Sequence, residues 1–460
     1  MIKRLLATLD DRTGLLTWAR GVLEHPVPPR TGWWYVFGSA TFLAFLLQVL
    51  TGIALATAYV PSAGDAYASL QFITDQALMG RFLRGLHYFG ASAMVVLIGV
   101  HVARVYLMGA FKYPRELNWL SGAFLLLLTL ALAFTGQLLR WDQTAVWSVI
   151  VAAAQAGRTP IIGQDVARFI LAGDTVGGAT LSRFFAFHVF FIPAVVFLLV
   201  GLHLMLVLRH GISERPTVGD PVDKATYRAR YDALLKREGV PFWPDAAWRD
   251  VVFGAAVVAA VALLAIVVGP PALGRQPDPS ILQAYPRPDW YFLWYFAVLA
   301  LTPTHLETVV IVLGPLIFGA ILLFVPFFNT GERSVSRRPW AAILVLLIVS
   351  VIGVFWYAGE RAPWSPDFAA KPLPAAIVRD TTAEVVRGAR LFYDKGCEFC
   401  HKIDGQGGPR GPDLTLVATR MSPLEMVGRI TNGGPNMPAF TSTLTPEEIQ
   451  AIVAFLATRK

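Results

Sequence analysis

Four histidines stand in two apolar stretches of the chain, His87 with His101 in one and His188 with His203 in the other. The first two are fourteen residues apart and the second two fifteen. At ~1.5 Å rise per residue, each pair sits on one helix about 21–23 Å apart along its axis, and on roughly the same face. Ionisable groups inside lipid are costly and need partners. Two such helices side by side offer two imidazole pairs at two depths, the arrangement that hangs two haems one above the other across a bilayer. Glycine repeats this step on neighbouring stretches: Gly38 with Gly52, and Gly122 with Gly136, are also fourteen residues apart. A helical glycine costs roughly 1 kcal/mol relative to alanine. Close approach of a flat macrocycle at two levels is a reason to keep it.

A second chemical signal lies near the C-terminus. The two cysteines of the chain fall in Cys397-Glu398-Phe399-Cys400-His401. C-x-x-C-H is the signature of covalent c-type haem attachment, in which both thiols add to the vinyl groups and the adjacent histidine, here His401, ligates iron. A further ligand is expected from a downstream loop, and Met437 beside Pro438 is the favoured candidate. Methionine opposite histidine raises a haem's potential, which suits an electron acceptor. Met421 and Met426 compete for the role, but both lie in a helix-like run where methionine serves a core.

The elements that must position these groups follow from composition. Apolar residues make up 55% of the 460 and charged ones only 15%, which places the chain among multi-pass membrane proteins. Seven stretches can cross ~30 Å of hydrocarbon, near 34–58, 84–108, 119–139, 183–208, 250–268, 307–327 and 339–358. Residues 1–30 read as an amphipathic surface helix, with Leu5, Leu9, Leu15, Leu16 and Trp18 among charges, and not as a cleavable signal. With the N-terminus cytoplasmic, eighteen Lys and Arg fall inside and eight outside, so positive-inside bias sets the topology. The net charge of +8 is explained by that bias and needs no nucleic acid. Seven spans leave the C-terminus outside. A Pro-punctuated linker over 359–380 then leads to residues 381–460, whose composition is that of a small soluble domain. Helix-forming segments at 382–395 and 445–458 are expected to pack across each other. Haem is attached covalently outside the cytoplasm, which agrees with the charge count.

On these residues the chain resembles the cytochrome b family of quinol-oxidising bc and b6f complexes. The matching pieces are Gln48-Val49-Leu50-Thr51-Gly52, His101-Val102-Ala103-Arg104-Val105-Tyr106, Lys112-Tyr113-Pro114-Arg115-Glu116, Trp141-Asp142-Gln143, Thr180-Leu181-Ser182-Arg183-Phe184 and Pro288-Asp289-Trp290-Tyr291. The fifteen-residue step on the fourth span is the b6f-type spacing. The C-terminal segment is similar to small c-type cytochromes. The implied fold is an all-α membrane protein: a diheme four-helix bundle over 31–215 and a subunit IV-like region over 216–358. That region brings three further spans, seven or eight in all, and a small all-α cytochrome c domain follows.

The resemblance further implies that His87 and His188 hold one noncovalent b-type haem near the outer face, and His101 and His203 another near the cytoplasmic face. Arg84, Arg104 and Arg115 are the implied propionate partners. Two imidazoles saturate each iron, so these haems carry electrons and bind no oxygen. Pro288, Asp289, Trp290 and Tyr291 are the expected quinol-site residues, with the Asp289 carboxylate accepting a proton as electrons leave. Asp289 stands where the family commonly has Glu.

The implied activity is bifurcated quinol oxidation at the outer face and quinone reduction at the inner face, generating a proton gradient. The implied partners are a Rieske iron–sulfur protein on another chain, a soluble cytochrome c or terminal oxidase, and a second copy in a homodimer within the cell's inner membrane. Two departures stand out. Trp34-Tyr35-Val36-Phe37-Gly38 lacks the cysteine that tethers an extra haem in b6f-type proteins, so no covalent haem is expected in the membrane core. Arg140 replaces the usual proline before Trp141. A diheme anchor for a dehydrogenase leaves Pro288-Asp289-Trp290-Tyr291 without a role, and a transporter lacks broken spans.

Overall fold

A computed structural model describes residues 2–277, 287–303, 305–328, 331–361, 371–408, 411–433, 437, 439–441 and 443–460. It opens with two amphipathic helices, α1 (Ile2–Thr13) and α2 (Leu15–Leu23), whose Leu5, Leu9, Leu15 and Trp18 are exposed. Next come α3 (Phe37–Ala56), a short α4 (Ala66–Asp75), α5 (Gly80–Leu107) and α6 (Glu116–Leu138). The loop after α6 carries α7 (Gln143–Gly157) and α8 (Gly163–Leu171). The fourth span is a single rod, Gly178–His210, made of α9 (Gly178–Ala186), a π-helical turn (Phe187–Phe191) and α10 (Ile192–His210). A connecting helix α11 (Tyr227–Glu238) precedes α12 (Ala247–Val267).

Three apolar helices follow: α13 (Trp290–Leu301), α14 (Glu307–Phe324) and α15 (Pro339–Arg361). Among the described residues seven helical segments are long and apolar enough to cross a membrane, and α13, at 12 residues, is not one of them. Two spans begin well before the sequence expectations: α5 starts at Gly80 rather than 84, and the fourth rod at Gly178 rather than 183. Backbone hydrogen bonding continues a helix beyond the point where hydropathy stops favouring lipid.

Helix α3 packs on α5 and α6 on α10, giving the four-helix core, while α12 lies against α5 and α3. Its middle is filled by Ala40, Ala44, Phe45, Met94, Leu97, Ile192 and Val196. Small side chains on α3 let the helices approach and aromatics fill the remainder, as where Phe45 meets Phe197 edge-on at 5.0 Å. Most other span surfaces stay apolar and exposed, Leu198, Ile266, Leu316 and Ile343 among them, as lipid-facing surfaces must be.

The connector between the fourth and fifth spans is fastened from the core. Arg115 donates from Nε to Gly211 O (2.9 Å), from Nη1 to the Tyr227 hydroxyl (2.7 Å) and from Nη2 to His210 O (3.1 Å). Its guanidinium also lies over the Tyr231 ring at 5.2 Å.

The C-terminal domain comprises α16 (Ala375–Val378), α17 (Ala383–Asp394), α18 (Pro423–Asn432) and α19 (Pro446–Ala457), with one two-stranded ladder, β3 (Lys402–Ile403) on β4 (Gln406–Gly407), β1 (Pro26–Val27) and β2 (Val240–Pro241) being paired in the membrane region. Helices α17 and α19 cross closely at Gly388, where a Cβ would meet Ala451 O at 1.9 Å. Beside that crossing Phe392 packs on Phe455 at 5.8 Å. Ser422 and Thr445 each close a capping box with the glutamate three residues on, which fixes where α18 and α19 begin. Part of the proline-punctuated linker, 362–370, lies outside the described residues.

Candidate functional site

The four span histidines meet in two layers, His87 with His188 and His101 with His203. The His87 and His188 rings have centroids 6.3 Å apart and planes at 78°. Two imidazoles that coordinate one metal from opposite sides, each at about 2 Å, place their centroids roughly 6 Å apart. His203 lies within electrostatic reach of His101 in the other layer.

Each glycine of the fourteen-residue repeats faces one histidine of the neighbouring helix. A Cβ added at Gly52 would lie 3.2 Å from His87 Cε1, at Gly38 3.0 Å from His101 Cε1, at Gly122 3.4 Å from His203 Cε1, and at Gly136 2.6 Å from His188 Cε1. The space the missing side chains leave is thus taken by an imidazole edge on the adjacent helix. α3 serves the histidines of α5, and α6 those of the fourth rod.

The π-helical turn resolves the unequal spacing of the pairs. Ile192 N–H bonds Phe187 O, five residues back, so this turn holds one residue more than an α-helical turn. Pro193 has no N–H to give, and its ring crowds the carbonyl four residues earlier, which favours a widened turn here. The fifteenth residue between His188 and His203 is absorbed there, and both rings reach one face.

Three hydroxyls set the tautomers. Thr51 Oγ1 donates to Leu47 O (2.7 Å), so at 2.9 Å from His87 Nδ1 its oxygen accepts the ring N–H. Thr135 donates to Ala131 O (2.8 Å) and accepts from His188 Nδ1 at 3.1 Å. Ser121 donates to Asn118 O (3.0 Å) and accepts from His203 Nδ1 at 2.9 Å. With Nδ1 protonated, Nε2 keeps the lone pair that a metal needs. Sequence reasoning missed these residues, although a hydroxyl directly precedes Gly52, Gly122 and Gly136. Phe37 precedes Gly38, and no hydrogen bond reaches the His101 ring among the described residues.

The three arginines differ. Arg84 donates to Thr74 Oγ1 (3.0 Å) and Pro271 O (2.8 Å). Arg115 is committed to the connector, as described above. Arg104 is 9% exposed, and among the described residues its buried Nε and Nη2 have no hydrogen-bond partner, while its guanidinium lies 3.9 Å over the Tyr35 ring. A buried cation with unpaired donors is costly unless an anion meets it, and this one fits a haem carboxylate. Together with the glycine-faced imidazoles, it makes the residues present suit a haem.

On the side of His87 and His188, α6, α7 and α13 line an open-sided cavity of about 350 Å³. Its wall is mainly apolar and includes Gln137, Ser148, Pro288, Phe292 and Tyr295. Gln137 Nε2 donates to Ser148 Oγ at 3.1 Å, while the buried Gln137 Oε1 has no hydrogen bond among the described residues. An apolar wall with a few oriented polar groups suits a small organic ligand.

Of the four expected quinol-site residues only Pro288 lines this cavity. Asp289 stands next to it, receives a hydrogen bond from the Tyr291 hydroxyl (3.0 Å), and faces Arg140 Nη1 at 3.6 Å. Trp290 Nε1 donates to Ser92 Oγ at 3.2 Å, fixing the start of α13 against α5. Residues 278–286, the rest of the loop before Pro288, lie outside the described residues.

In the C-terminal domain His401 Nδ1–H donates to Pro412 O at 2.8 Å, again leaving Nε2 as the lone-pair nitrogen. Burial pushes this imidazole below its usual range and keeps it neutral. Gly411 clears the ring as the core glycines do, since a Cβ there would lie 2.5 Å from His401 Cε1. Cys397 and Cys400 are both partly buried. Met426 is buried in the domain core, Met421 and Met437 pack against it, and residues 434–436 and 438 around Met437 lie outside the described residues.

Comparison with known proteins agrees with this arrangement. The family described as "Cytochrome b/b6/petB" matches residues 22–211, and "Cytochrome b(C-terminal)/b6/petD" matches 279–376. Residues 383–456 match "Cytochrome C oxidase, cbb3-type, subunit III". The "Menaquinol:cytochrome c reductase cytochrome b subunit" of Bacillus subtilis is 38% identical over 46% of this chain and 99% of its own length. "Cytochrome b" of Rhodobacter capsulatus is 30% identical over 75% of this chain and 83% of its own. Among solved structures, a "Hyperthermophilic respiratory Complex III" chain superposes with a TM-score of 0.67 at 25% identity, covering 78% of this chain and 92% of that one. The chain is therefore a haem-binding integral membrane protein of the cytochrome b family that carries a C-terminal cytochrome c domain.

Proposed function

We propose that the chain is the cytochrome b and c subunit of a quinol:cytochrome c oxidoreductase complex, oxidising quinol at the outer membrane face and reducing quinone at the cytoplasmic face. His87 and His188 hold one noncovalent b-type haem, and His101 and His203 the other. Arg104 meets a propionate of the second, with Arg84 at the first. Cys397, Cys400 and His401 would hold a covalent c-type haem, with Met437 as a further ligand. Held so, these groups supply one-electron carriers at two depths in the bilayer and a third at its outer surface.

The residues of the chain do the remaining work. Gly38, Gly52, Gly122 and Gly136 admit the imidazoles, and Thr51, Thr135 and Ser121 hold three of them in the ligating tautomer. The cavity beside α13 excludes water from a quinol ring, and the Asp289 carboxylate takes a proton from its hydroxyl. One electron then leaves for a Rieske iron–sulfur protein on another chain and onward to the c domain. The other crosses the membrane. A soluble cytochrome c or terminal oxidase collects electrons from the c domain, and the complex is a homodimer in the cell's inner membrane with the N-terminus cytoplasmic. Proton release outside and uptake inside build the gradient.

The observation that carries this reading is the pair of glycine-faced histidine layers, one of them beside a quinol-sized cavity. Pyridine haemochrome analysis of the purified complex tests it, with two b haems expected per covalent c haem. A b content near zero overturns it.

A further inference from the structure

Arg140 occupies a position between two carboxylates. Its Nε lies 3.7 Å from Asp142 Oδ2 and its Nη1 3.6 Å from Asp289 Oδ1. Both separations are ion-pair distances longer than a good hydrogen bond. Asp142 is fixed: it is 2% exposed, accepts from Ala145 N (2.8 Å) at the start of α7, and accepts from Gly274 N (3.2 Å) across the 5–6 loop. Asp289 is held more lightly, by Arg140 on one oxygen and the Tyr291 hydroxyl on the other.

We propose that Arg140 is a positioning residue for quinol oxidation, shared between Asp142 and Asp289 so that the Asp289 carboxylate is held beside the cavity in the place where it takes the quinol proton. The inference rests on the role given to Asp289 above. With Asp289 ionised, one guanidinium faces two carboxylates and the cluster carries one net negative charge. A proton moving from the quinol hydroxyl to Asp289 makes the cluster neutral, and Arg140 keeps Asp142 as its partner. No half-buried charge is orphaned in either state.

Without Arg140 the same two carboxylates repel, and the Tyr291 hydroxyl is what remains to hold Asp289. Among the described residues, the other titratable groups facing Asp289 are Tyr291 on α13 and Tyr88 on α5, with Arg84 also within electrostatic reach of Arg140 and Asp142. Neutral phenols and a fixed cation cannot replace the shared guanidinium.

The test is quinol turnover of the assembled complex against quinol concentration, with haem spectra confirming that each variant's core is intact. Arg140→Gln is expected to lower kcat roughly 3- to 10-fold with KM little changed. Arg140→Lys is expected to restore kcat. Asp289→Asn slows turnover, and adding Arg140→Gln to it slows turnover no further. An unchanged kcat in Arg140→Gln, or additive losses in the double variant, overturns the inference alone. Full turnover by Asp289→Asn overturns instead the proton-acceptor reading beneath it. Should Arg140→Gln lose its haems, Asp142→Asn carries the test from the other side. It takes the fixed partner from the guanidinium, so that kcat falls while KM holds, and an unchanged kcat overturns the proposal.

Discussion

The two histidine layers are built from the same parts and finished differently. In the layer of His87 and His188, both rings are gripped at Nδ1 by threonine hydroxyls that already spend their hydrogens on backbone carbonyls. In the layer of His101 and His203, Ser121 grips His203, while Phe37 stands where a hydroxyl for His101 would sit. The cations differ in the opposite sense. Arg84, near the first layer, is satisfied by Thr74 and Pro271, whereas Arg104, near the second, has unpaired buried donors. One layer is organised by the protein itself, and the other leaves more of its polar groups to whatever binds there. Two carriers of one chemical type can acquire different potentials in this way, because a hydrogen bond at Nδ1 raises the basicity of the ligand.

The largest expected effect tests whether the layers are independent. His188→Leu is expected to remove one b-type wave from a redox titration and leave the other, and His203→Leu to do the converse. Loss of both waves in either variant would mean that the layers form a single unit. A smaller effect separates the glycines. Gly136→Ala places a Cβ 2.6 Å from His188 Cε1, and Gly122→Ala one only 3.4 Å from His203 Cε1. The first is expected to cost about 1–3 kcal/mol of core stability and the second under ~1 kcal/mol, read as haem retention during thermal melting. Equal losses would break the distinction.

The finest effect concerns the hydroxyls. Thr135→Val is expected to raise the midpoint potential of its layer by roughly 20–60 mV, the equivalent of one net hydrogen bond. Phe37→Thr, which offers His101 the missing hydroxyl, should lower the potential of the other layer. A shift of the same sign in both variants would detach potential from this contact.

The spans, the histidine and glycine steps and Cys397-Glu398-Phe399-Cys400-His401 were legible because each follows a helical period or a short motif. Helix ends were less so, since hydropathy registers lipid while hydrogen bonding carries α5 and the fourth rod on beyond it. The π-helical turn was hidden, as a fifteen-residue step reads equally well as a sixty-degree offset. Arg115 looked like an anion partner, yet its three nitrogens go to Gly211, Tyr227 and His210, groups supplied by a connector whose path the sequence does not state. Arg140 was visible only as a departure from a family pattern.

By itself the sequence determined which stretches are long and apolar enough to cross a membrane, which residue types recur along them, and that a c-type motif follows the last of them. Those are local quantities, governed by helical rise, transfer of apolar groups into lipid and the chemistry of adjacent residues. Tertiary structure decided which glycine faces which imidazole, which nitrogen of each ring is free, which arginine remains unpaired, and that Arg140 stands between Asp142 and Asp289. Each of these depends on two segments distant in the chain meeting within a few ångströms, and hydrogen bonds and ion pairs change within that range.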